Sequence, residues 1–139
     1  MSRLRTVLVV EDDPDLRDAV EMILHRQGYY IVSTGDGVRA VELASQYKVD
    51  VALVDLLIPG QSGFQVATEL KSQHGDSVRV VVMSGNSSQA HQDFAFASGA
   101  EHFLAKPFTT TQLLAAIAKF CPPPAEPPSG SFRTARIGG

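Results

Sequence analysis

Four places in the chain carry side chains that could do chemistry together: the acidic run Glu11-Asp12-Asp13, the isolated Asp55, Ser84 and Lys106. Asp55 stands out. It closes the apolar run "VDVALVD" (49–55), and the chain passes at once into the Pro-Gly turn of "LLIPGQSG" (56–63). A carboxylate at the end of a hydrophobic run is costly to bury unless something binds it. Carboxylates gathered in one place repel one another and need a cation. An all-oxygen donor set selects a hard ion, and Mg²⁺ is the usual one because it keeps several waters and takes few protein oxygens; Mn²⁺ is an accepted substitute. Lys106 adds a compact positive charge for the Asp55 carboxylate or for an oxyanion attached to it. Ser84 offers a hydroxyl to the same anion, and Gly85 is expected to let that group come close. No general base sits beside a hydroxyl or thiol nucleophile, so acyl-transfer hydrolysis fits poorly. Phosphoryl transfer fits, because positioning and charge neutralisation supply nearly all of its catalysis. Asp55 would be the in-line nucleophile.

These residues meet only if the elements carrying them end on one edge. Short β-branched runs at 6–10, 29–34, 49–55, 78–84 and 101–105 predict five strands. Between them lie segments of helical period. Leu16, Val20, Ile23, Leu24 and Gln27 share a face, Pro14 sits where a first turn would begin, and Gly28 stops that helix. Further helices are expected near 36–47, 62–73, 88–98 and 109–120, the fourth with the weakest pattern. Strand and helix alternating in this way predict an α/β fold: a doubly wound, five-stranded parallel sheet with helices on both faces. In such sheets ligands bind beyond the carboxyl ends of the strands. That edge is where Glu11 and Asp12, Asp55, Ser84 and Lys106 fall.

Composition narrows the class. A chain of 139 residues with 44% hydrophobic content suits one domain with its own core. The net charge is −3 and the first hundred residues hold no basic run, so direct nucleic-acid binding is not expected. The apolar runs are too short to span a bilayer, and the N-terminus lacks the apolar core of a signal peptide. With a single cysteine, Cys121, no internal disulfide can form, and a cytoplasmic protein is expected. His25, His74, His91 and His102 show no metal-ligand spacing. From Cys121 onward "CPPPAEPPSGSFRTARIGG" is rich in proline and poor in apolar residues. The expected division is a domain over 1–120 and a disordered tail or linker over 121–139.

The stretches "VLVVEDDPDLRD", "VDLLIPGQSG", "VVVMSGN" and "GAEHFLAKPF", in that order on successive strand ends, resemble the receiver domain of two-component response regulators. The resemblance covers residues 4 to 120. It implies the flavodoxin-like strand order 2-1-3-4-5, with Asp55 as phosphoacceptor and Asp12 as a direct metal ligand. Leu57 would give its backbone carbonyl to the metal, and Glu11 would act through water. Ser84 and Lys106 take the switch positions, the Lys106-Pro107 bond is cis, and Pro59 and Gly63 shape the loop after the acceptor strand. Phe103 occupies an aromatic switch position often filled by tyrosine, so its coupling to Ser84 would rest on packing. The implied function is a signalling phosphoacceptor rather than a turnover enzyme. It takes a phosphoryl group from a sensor histidine kinase or phosphotransfer protein. It then changes partner binding through the face formed by the fourth helix, fifth strand and fifth helix. Its output would be a downstream protein or a fused domain, with the chain a monomer or a phosphorylation-dependent dimer. Two other readings compete. One is a receiver-like interaction module that is never phosphorylated. The other is an aspartyl-phosphate phosphatase, disfavoured because Leu57 stands where such enzymes carry a second acid.

Overall fold

A computed structural model describes residues 4–124 and 134–136 of the chain. The elements run β1 (Thr6–Val10), α1 (Pro14–Arg26), β2 (Tyr30–Thr34), α2 (Gly37–Gln46), β3 (Val51–Asp55), α3 (Gly63–His74), β4 (Arg79–Ser84), α4 (Gln89–Ala97), β5 (His102–Ala105) and α5 (Thr110–Ala118). All five strands pair in parallel, in the order β2-β1-β3-β4-β5. This is the doubly wound α/β sheet expected from the strand–helix alternation.

Successive residues of each central strand point to opposite faces, and both faces are covered. Leu8, Val10, Ala52, Val54, Val80 and Val82 pack into one cluster with residues of α2 and α3. Val7, Val9, Val51, Leu53, Val81 and Met83 pack into a second with residues of α1 and α5. Every residue of β1 and β3 is buried, which explains why these strands are continuously apolar rather than alternating. Side-chain caps start the helices: Asp36 for α2, and Ser62 and Thr109 in reciprocal capping boxes with Gln65 and Gln112.

Two expectations need correction. The buried face of α1 is Arg17, Val20, Glu21 and Leu24, while Leu16 and Ile23 are only partly buried. Two charged residues therefore occupy a stripe that apolar residues would normally fill. In addition, the sheet has a sixth strand, β6 (Thr134–Arg136), drawn from the tail read as unfolded; it pairs in parallel with β2 through Ile31, Val32 and Ser33. Backbone groups on an open sheet edge accept any extended segment whatever its apolar content, so composition does not register such a strand. The rest of that tail beyond Pro124 lies outside the described residues.

Candidate functional site

β1 is flanked by β2 on one side and β3 on the other, so the crossover connections leave it in opposite directions and open a crevice at the carboxyl ends of β1 and β3. Glu11 follows the last residue of β1, and Asp55 is the last residue of β3. One carboxylate oxygen from each of Glu11, Asp12 and Asp55 lies within 4.8 Å of the others. Glu11 and Asp55 are buried, whereas Asp12 is exposed.

The loop after β5 supplies the cation. Lys106 Nζ donates to Glu11 Oε1 at 2.6 Å and to Asp55 Oδ2 at 2.9 Å. Burial drives the Glu11 carboxyl above its usual range; the Lys106 bond opposes this, and the neighbouring Asp55 adds to it. Burial by itself would lower Lys106, but its hydrogen bonds to Asp55 and Glu11 reverse this and hold the ammonium above its ordinary value. One ammonium thus serves two carboxylates while a third, Asp12, faces solvent. Such a donor set retains net negative charge and fits a hard divalent cation.

Backbone groups orient the remaining parts. Asp55 Oδ1 accepts from Leu57 N at 3.1 Å, and Glu11 Oε2 accepts from Asp13 N at 3.1 Å. Leu57 itself is 79% exposed. Ser84 ends β4, the strand next to β3; its buried hydroxyl accepts from Asn86 N at 3.0 Å and its carbonyl from Lys106 N at 2.9 Å. Phe103 lies three residues before Lys106 on β5, half-buried against the cluster between the sheet and α2–α3. The Lys106-Pro107 peptide is cis, as the resemblance implies.

Gly63 is where the loop needs glycine. A Cβ there would overlap the Asp55 carbonyl and come within 2.6 Å of Leu56 Cα. At Gly85, by contrast, an added Cβ meets nothing within 4 Å, so the close approach expected there is not seen.

The sequence-predicted residues Glu11, Asp12, Asp55 and Lys106 therefore converge, with Ser84 on the adjacent strand end and Phe103 behind it. Asp13 has another job: its side chain caps α1 by accepting from Asp15 N. Sequence reasoning missed Arg17, which is buried and donates from Nη1 to the Glu11 carbonyl at 2.9 Å. Its spacing to Val20 and Leu24, three and seven residues on, fits the buried face of α1, but a charged side chain at that spacing reads as solvent-facing.

Comparison with known proteins agrees with this geometry. A family model described as the response regulator receiver domain matches residues 7–118. The response regulator GtcR of Aneurinibacillus migulanus is 27% identical over 113 residues, covering 81% of this chain and 46% of its own length. The chain thus spans about half of that curated relative. Among solved structures, the Vibrio cholerae chemotaxis protein CheY4 aligns with a TM-score of 0.79 at 25% identity, covering 85% of this chain and 99% of its own. The receiver domain of the Pseudomonas aeruginosa sensor histidine kinase PA1611, with magnesium in its active-site cleft, gives 0.77 at 26% identity, covering 85% and 98%. A Burkholderia pseudomallei response regulator with a phosphorylated aspartic acid and a calcium ion gives 0.75 at 29%, covering 81% and 66%.

Proposed function

The chain belongs to the response regulator receiver domain family of two-component signalling, and from that premise we propose that Asp55 is its phosphoacceptor. An Asp55 oxygen attacks the phosphorus of a phosphohistidine on a sensor kinase or phosphotransfer protein. The P–N bond breaks, a P–O bond forms, and the histidine leaves as imidazole after taking up a proton. The observation that carries this reading is the shared Lys106 ammonium: it holds Asp55 Oδ2 at 2.9 Å in a cleft with two more carboxylates.

Asp12, Asp55 and the Leu57 carbonyl would hold Mg²⁺ directly, or Mn²⁺ in its place, with Glu11 acting through water. When bound, the ion supplies charge neutralisation at the transferred phosphoryl oxygens. Lys106 balances the same charge from the protein side. Ser84 then turns its hydroxyl toward a phosphoryl oxygen and away from Asn86, and Phe103 repacks behind it. The consequence falls on the α4–β5–α5 face, where a groove of about 520 Å³ is lined by Phe103, Ala105, Gln112 and Lys119 among others. Phosphorylation shifts a population between two arrangements of that face, because only the phosphorylated form makes the new contacts.

The partners are then a histidine kinase or phosphotransfer protein on one side and a downstream protein or fused output domain on the other, within the cytoplasm. Residues 1–120 act as the receiver; within 121–139, Thr134–Arg136 adds β6 to the sheet edge and the remainder serves as a tail or linker. The root of that segment is tied down, since Arg5 Nη1 donates to the carbonyls of Pro122 and Pro123, each at 2.7 Å.

The test is incubation with Mg²⁺ and acetyl phosphate, or with beryllium fluoride, followed by amide spectra of wild type and Asp55→Asn. A response on β4 and β5 in the wild type, absent in the variant, is expected. No response in the wild type would favour a receiver-like module that is never phosphorylated, and steady turnover of a small phosphate ester would favour a phosphatase.

A further inference from the structure

The buried face of α1 carries two charges in a stripe with Val20 and Leu24: Arg17 is 7% exposed and Glu21 fully buried. Burying a charge is costly unless other groups hold it, and these two are held by different partners. Glu21 accepts from Ser33 Oγ at 3.1 Å, joining α1 to β2. Arg17 reaches the other way. Its Nη1 donates to the Glu11 carbonyl at 2.9 Å, and its Nε has no partner among the described residues.

That carbonyl belongs to the peptide between Glu11 and Asp12. The peptide is a rigid plane, so holding its oxygen fixes the direction in which the chain enters Asp12. The neighbouring groups are held separately: Glu11 N donates to the Thr34 carbonyl at 3.0 Å, Asp13 N to Glu11 Oε2 at 3.1 Å, and Arg17 N to the Asp13 carbonyl at 2.9 Å. The Asp12 side chain is exposed and makes no hydrogen bond among the described residues, so its aim comes from its backbone.

We propose that Arg17 is a positioning residue for the cation site: by clamping the Glu11 carbonyl it aims the Asp12 carboxylate into the cluster and so sets the affinity for a divalent ion. The inference rests on the reading of Glu11, Asp12 and Asp55 as a magnesium site. Partners that orient metal ligands from behind change affinity by about 10- to 100-fold when removed, which sets the scale here.

The experiment is a Mg²⁺ titration of the full chain, followed by the amide signals of residues 11–13 and 55–57, with melting in EDTA measured alongside. R17M removes the clamp but leaves Glu21 buried beside an apolar residue. R17M/E21M removes both charges. The double variant is expected to bind Mg²⁺ about tenfold or more weakly than wild type. Wild-type affinity in a folded double variant would overturn the proposal. Should the double variant not fold, R17K decides, because it keeps the charge without the reach of the guanidinium. Weaker Mg²⁺ binding at an unchanged melting temperature then supports the clamp, and wild-type binding overturns it. A wild type with no Mg²⁺ response at all removes the magnesium reading and this inference with it, a result distinct from the others.

Discussion

Lys106 Nζ lies 2.9 Å from Asp55 Oδ2, although 51 residues separate the two in the chain. The same nitrogen lies 2.6 Å from Glu11 Oε1, across 95 residues. One cation therefore joins the ends of β1 and β3 to the loop after β5 and offsets the repulsion among the acids.

Removing it has a predictable cost. Lys106→Met is expected to destabilise the protein by about 2 kcal/mol in EDTA, the scale of lost hydrogen bonds to charged groups. Added Mg²⁺ should recover part of the loss, because a ligand bound only to the folded state stabilises it. Urea unfolding in EDTA and in Mg²⁺ measures both. An EDTA midpoint equal to that of wild type would show that the ammonium is not balancing the carboxylates.

Asp12→Asn should behave in the opposite way. Asp12 is exposed, so stability in EDTA should stay within about 0.5 kcal/mol of wild type. The Mg²⁺ response should disappear. A titration superimposable on that of wild type would remove Asp12 from the ligand set.

Gly63→Ala tests the loop after the acceptor. Its Cβ would press on backbone atoms of Asp55 and Leu56, which cannot move aside as a flexible side chain could. A loss of about 2 kcal/mol is expected, with amide shifts at Asp55–Leu57. Gly85→Ala, whose Cβ enters open space, should cost less than about 0.5 kcal/mol and serves as the control.

Alkaline stability depends on Tyr29. Its buried hydroxyl donates to the Cys121 carbonyl. Burial pushes its pKa up to about 12, with Cys121 adding to the rise and Arg5 opposing it. A folded-state pKa above the unfolded value near 10 means the folded form holds this proton more tightly. The associated stability is complete below pH 10 and is lost as pH rises toward 12, to the extent of about 2 kcal/mol. Urea midpoints measured from pH 9 to 12 should fall in that window and fall less steeply in Tyr29→Phe. Parallel slopes would assign the alkaline transition to another group.

The strands and their polarity were legible in the sequence, because a strand buried on both faces must be apolar at every position, as β1 and β3 are. The ends of β1, β3 and β5 were legible too, since Glu11, Asp55 and Lys106 interrupt those runs. Arg17 and Glu21 were not: a periodic pattern assigns charged residues to the solvent face, and only the packing of α1 on β1 and β2 shows them inside. Asp13 and Asp12 are adjacent identical residues, and local backbone geometry makes one a helix cap and leaves the other beside the cluster. Strand β6 escaped for a related reason, because edge pairing uses backbone groups that every residue possesses.

Residue type and spacing, then, determined which side chains end strands and therefore what chemistry was available to this protein. Sheet order decided the rest. The order of the sheet and the loop after β5 bring residues 95 positions apart to within 2.6 Å, and no local pattern encodes a distance that depends on how whole elements pack.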